Sequence, residues 1–60
     1  MFIELHDLEE GYRVLINTSQ IMFVDEGTNG ETCINVQNEC YSVKESYEYV
    51  RSLLNYSVIN

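Results

Sequence analysis

The chain changes its hydrophobic period once. From Phe2 to Val43, apolar and polar residues alternate in short runs, as in half-buried strands; from Tyr47 onward the apolar residues Tyr47, Val50, Leu53 and Leu54 recur at helical spacing. Clusters of turn-forming residues cut the alternating part at 8–11 (LEEG), 18–19 (TS), 27–30 (GTNG) and 37–38 (QN). The pattern predicts strands over 1–7, 12–17, 20–26, 31–36 and 39–43, and a helix over about 46–56. Lys44, Glu45 and Ser46 sit where one period gives way to the other. There Ser46 or Glu45 is expected to cap the helix, with Glu48 at the favourable positive end of its dipole.

Turn chemistry then sets a register. Asn29-Gly30 suits a two-residue type I′ hairpin, which needs positive φ at both central positions; it places Phe23 opposite Val36 and Asp25 opposite Ile34. A turn at Gln37-Asn38 sets Tyr41 opposite Ile34 and Cys40 opposite Asn35. A turn at Thr18-Ser19 pairs Ile16 with Ile21 and Val14 with Phe23, and a four-residue loop over 8–11 pairs Leu5 with Val14 and Ile3 with Ile16. Chosen independently, these registers put Ile3, Leu5, Val14, Ile16, Ile21, Phe23, Ile34, Val36, Tyr41 and Val43 on one side, beneath the helix. The expected fold class is α+β, a small, barrel-like five-stranded antiparallel meander (about 1–43) followed by one C-terminal helix, in a single domain over 1–60.

The other face of that sheet is not purely polar. Leu15, Met22, Val24, Cys33 and Cys40 are expected to form an apolar strip, and one helix cannot cover both sides of one sheet. Sixty residues hide only about 60% of the surface the unfolded chain exposes, so small scaffolds usually need disulfides, a metal or a partner. Two cysteines and one histidine are too few for a disulfide framework or a structural zinc site. Cys33 and Cys40 are expected as diagonal cross-strand neighbours about 7 Å apart at Cβ, a poor disulfide geometry. A homo-oligomer burying the strip is the expected source of support.

Charge narrows the partners. Ten Asp and Glu against three Lys and Arg give a net charge of −7, which opposes direct binding to nucleic acid or to acidic membranes. The N-terminal stretch has no basic region followed by an apolar run of signal length, and no segment approaches the ~20 apolar residues of a membrane span. The compartment read from this is cytoplasmic, in a bacterium or a phage-infected cell. Nothing calls for a cofactor or a metal. The stretch beginning at Asp25 fails the EF-hand pattern, since its third and twelfth positions are Gly27 and Val36. No nucleophile, base and oxyanion donors are spaced for acyl chemistry, so no enzyme is expected. His6 is expected on the outer side of the first hairpin, beside Arg13 and near Glu4, as a carboxylate-paired histidine.

The opening FIEL strand, the VLIN strand (Val14–Asn17), the following IMFV, and YSVKESYEYV (Tyr41–Val50) resemble the FlbD/SwrD-type small proteins of flagellar and swarming motility. They are also similar to short phage and prophage proteins that share the VKES-x-E-x-V ending. The resemblance covers nearly the whole chain and implies the strand, cap and helix order but no catalytic residues. The basic tail of the flagellar proteins has no counterpart after Arg51, which makes the phage-type proteins the nearer analogy.

Three functional expectations follow. The first is a non-enzymatic homo-oligomeric interaction module, assembled through Leu15, Met22, Val24, Cys33 and Cys40. The second is an acidic phage inhibitor that covers a basic host protein, a nucleic-acid or defence enzyme, through Glu9, Glu10, Asp25 and Glu26. The third is a small-ligand or nucleotide sponge whose anion is held by Arg13, Lys44 and Arg51 where subunits meet.

Overall fold

A computed structural model describes residues 1–55. Five strands precede one helix: β1 (Phe2–His6), β2 (Arg13–Asn17), β3 (Ile21–Glu26), β4 (Thr32–Val36), β5 (Glu39–Val43) and α1 (Tyr47–Leu53). Element order and class are those the pattern predicts. The strands nevertheless form two antiparallel sheets, β1-β2 and β3-β4-β5, so the expected pairing of β2 with β3 is absent. Thr18–Gln20 forms a short 3-10 turn in place of the two-residue hairpin, capped by Asn17, whose Oδ1 accepts from Ser19 N at 3.1 Å. Ile16 and Val14 therefore do not face Ile21 and Phe23 across a ladder.

Two hairpins keep the expected register. Ile3 pairs with Ile16 and Leu5 with Val14 in the first; Ile34 pairs with Tyr41 and Asn35 with Cys40 in the last. The β3-β4 hairpin does not. Gly30 N donates to Gly27 O at 3.0 Å, Gly27 N donates to Glu31 O at 2.7 Å, and Gly30 alone of the Asn29-Gly30 pair has positive φ, at 80°. The tip thus holds three residues, a turn followed by a left-handed glycine, where type I′ would hold two. That one-residue change slides the register, so Val24, not Asp25, lies opposite Ile34, and Phe23 lies opposite Asn35. Because side chains alternate with period two, the slide turns Val24 inward and Phe23 outward. A bulge at Met22 then restores Ile21 to the inside, opposite Val36. Val24 packs on the core and Phe23 is 54% exposed, the reverse of the predicted placement. Alanine at Gly30 meets no neighbouring atom but must hold the left-handed backbone; a loss of about 1 kcal/mol in urea unfolding is expected, with the fold retained.

The core is shared by both sheets and the helix. Ile3, Leu5, Ile16, Ile34, Val43 and Val50 are buried, with Val14, Ile21, Val24, Val36, Leu53 and Leu54 packed around them. Tyr41 shares the side of Ile34 but lies at the margin and is exposed. Ser46 caps α1 as expected, its Oγ accepting from Tyr49 N at 3.1 Å. Leu54 ends the helix and Asn55 follows in the left-handed conformation, so the helix stops short of its predicted end; residue 56 lies outside the described residues.

Candidate functional site

The two sheets meet where β1 runs past the end of β5. A bridge joins Asp7 to Val43, Leu8 N donates to Ser42 O at 3.0 Å, and Lys44 N donates to His6 O at 2.9 Å. Glu45 closes this seam. Its Oε1 accepts from His6 N at 2.9 Å and its Oε2 lies 2.6 Å from His6 Nδ1, with the Glu45 side chain only 15% exposed. Burial pushes the Glu45 carboxyl up, but the hydrogen bonds from the His6 ring and from backbone N–H groups outweigh it and hold the carboxyl below its ordinary value. His6 lies opposite Arg13 and has a carboxylate partner, as expected, but that partner is Glu45 from the strand-to-helix junction and not Glu4. Nothing in the local sequence marked Glu45 for this, since 39 residues separate the pair.

The predicted apolar strip is not one surface. Leu15 is exposed on the outer side of β2, on the face that also carries Phe2, Glu4, His6 and Arg13. Met22 is exposed at the bulge of β3, in the other sheet, and Val24 faces the core. Cys33 and Cys40 are diagonal neighbours across β4-β5, as the register predicts, Cys33 half-buried with its Sγ 3.9 Å from Ser42 Oγ and Cys40 exposed. Desolvation, then the Cys33 side chain and the carboxylates of Asp25 and Glu31, push the Cys40 thiol up, which lowers its thiolate fraction at neutral pH.

The charged sets also separate. Glu9 and Glu10 sit in the β1-β2 loop, where their backbone N–H groups donate to Asp7 Oδ2 at 3.2 and 2.8 Å. Asp25 and Glu26 belong to β3, and Asp25 Oδ1 accepts from Asn35 Nδ2 at 3.0 Å. Arg13 lies on β2, Lys44 follows β5, and Arg51 is on α1. Among the described residues no group of three or more His, Cys, Asp and Glu is placed to hold a metal ion, and no helix is long and apolar enough to cross a membrane.

Open grooves mark the surface of the described residues. One, about 630 Å³, lies between the sheets and bares the edge of the core at Val14, Ile16 and Val36 beside Tyr12 and Tyr41. A second, about 430 Å³, runs past Lys44, Glu45 and the Asn29-Gly30 tip. Another, about 420 Å³, lies between β3 and α1 and contains Arg51. None of these brings together two of the three predicted cations among the described residues. Sequence reasoning named Arg51 but not its companions Phe23 and Tyr47; the helical row Tyr47, Arg51, Leu54 was the available signal. Comparison with family models, curated proteins and solved structures finds no match.

Proposed function

We propose that the chain is a non-enzymatic interaction module that works as a homo-oligomer through the outer face of the β1-β2 hairpin. The observation that supports this reading is that both faces of that hairpin carry large apolar side chains: Ile3, Leu5 and Ile16 are buried inside, while Phe2 and Leu15 are 61% and 65% exposed outside. Register sets Glu4 across from Leu15 and His6 across from Arg13, so acid and base frame the apolar pair. Two copies related by a two-fold axis can set Glu4 of one near Arg13 of the other, a self-complementary contact. A small chain gains both buried apolar area and stability from such a contact. The resemblance of the sequence to FlbD/SwrD-type and phage-type proteins supports a bacterial or phage setting for such a module.

Size-exclusion chromatography with light scattering tests it. A mass that is a multiple of 7.0 kDa is expected at micromolar concentration. Leu15→Asp, at an exposed position, is expected to give a folded monomer with an unchanged circular-dichroism spectrum. A wild-type monomer would end this proposal. The acidic-inhibitor reading has less support, because its four carboxylates are divided between the β1-β2 loop and β3.

A further inference from the structure

We infer that the groove between β3 and α1 receives an extended peptide segment of another protein, which adds as a strand to β3 and delivers a carboxylate to Arg51. β3 is an edge strand, paired only with β4, and among the described residues its outer row of N–H and C=O groups has no backbone partner. Over Phe23–Glu26 its pairing to β4 is regular, one residue to one, so this part of the edge offers an even template. Beside it, α1 presents Tyr47, Arg51 and Leu54, which share one helix face at i, i+4 and i+7. An edge strand flanked by a helix is the geometry in which peptides bind by strand addition, with backbone hydrogen bonds for affinity and side-chain pockets for selection.

Charge identifies the occupant. Arg51 is the one charged residue among those described as lining the groove, and the sole ion pair among the described residues is His6 with Glu45. In a chain with three cations and ten acids, a guanidinium with no carboxylate in ion-pair reach among the described residues is matched by a carboxylate from outside, which its planar fork holds through two hydrogen bonds. The exposed Met22 and Phe23 supply the apolar contact, Phe23 turned outward by the register of the β3-β4 hairpin and Met22 lying at the bulge that returns Ile21 to the core. A second copy of β3 is a poorer occupant. It would bring Asp25 and Glu26 of each copy together and double a net charge of −7 across the contact, where a peptide brings a single acid to Arg51.

A displayed library of random ten-residue peptides with free C-termini, selected on the immobilised full chain, supplies the probe; the most enriched peptide is then synthesised and titrated. Enriched peptides are expected to alternate β-branched or aromatic residues with polar ones and to carry an acid. Their binding is expected to shift backbone amide resonances of β3 and α1. Arg51→Gln and conversion of the peptide carboxylate to an amide should each weaken binding about tenfold, and together little more than either alone, because they remove the same contact. N-methylation at alternate peptide positions should abolish binding. Thermal melting of Arg51→Gln alongside the wild type confirms that the variant is folded. The inference is overturned if no peptide is enriched over an unrelated protein, if Arg51→Gln binds equally well, if methylation has no effect, or if octanoate alone shifts the same resonances with equal affinity. Arg51→Gln leaves the β1-β2 face untouched, so oligomer mass and peptide binding fail independently.

Discussion

Ile34→Ala is expected to leave a large fraction of the chain unfolded at 25 °C. Ile34 is fully buried on β4, the central strand of its sheet, opposite Val24 on one side and Tyr41 on the other. Removing three carbons from such a site costs about 2–5 kcal/mol through lost transfer energy and the cavity left behind. Domains have roughly 0.05–0.15 kcal/mol of stability per residue, which for this length is about 3–9 kcal/mol in all. One deletion therefore consumes much of what holds the fold. Urea unfolding followed by circular dichroism checks it, with Ile34→Val as the graded control at about 0.5–1.5 kcal/mol. If Ile34→Ala shifts the midpoint no more than a surface change does, Ile34 is not at the centre of the core.

Glu45→Ala is expected to be the largest effect from outside the apolar core, about 1–3 kcal/mol at pH 7. The loss has two parts. His6 N loses its acceptor at a part-buried site, and the described backbone bonds of the seam between the two sheets are then the two donated by Leu8 N and Lys44 N. The pH dependence follows from the carboxyl being held below its ordinary value in the fold. A group with a depressed folded pKa contributes its full stability above the unfolded value, about 4.3 for Glu, and loses that contribution as pH falls through the folded one. The gap in melting temperature between wild type and Glu45→Ala should be widest at neutral pH and shrink below about pH 4. A gap that is constant from pH 7 to pH 3 would show that the carboxylate charge does nothing for the seam.

The groove proposal and the oligomer proposal draw on different parts of the molecule. One uses the edge of β3 and the face of α1; the other uses the outside of the first hairpin. Both arise from the same circumstance. Among the described residues one helix serves two sheets, and Val50 with Leu53 and Leu54 commits it to the common core. The outer side of β1-β2 and, among those residues, the unpaired edge of β3 are what it leaves uncovered.

Element order, the first and last hairpins, the Ser46 cap and most of the buried set are legible in the order of residues, because each rests on local rules that agree with one another. Alternation puts Ile3 with Leu5, the loop at 8–11 pairs them to β2, and the change of period at Ser46 turns Val50 toward them. The placement of β3 follows from long-range packing. A two-residue and a three-residue tip at Gly27 to Glu31 are both compatible with its glycines, and they differ in whether Asp25 or Val24 lies opposite the buried Ile34; the fold takes Val24. The same holds for the break between β2 and β3 and for the reach of Glu45 to His6. These depend on two sheets closing over one small core, and contacts between residues far apart in the chain leave no periodic trace in it.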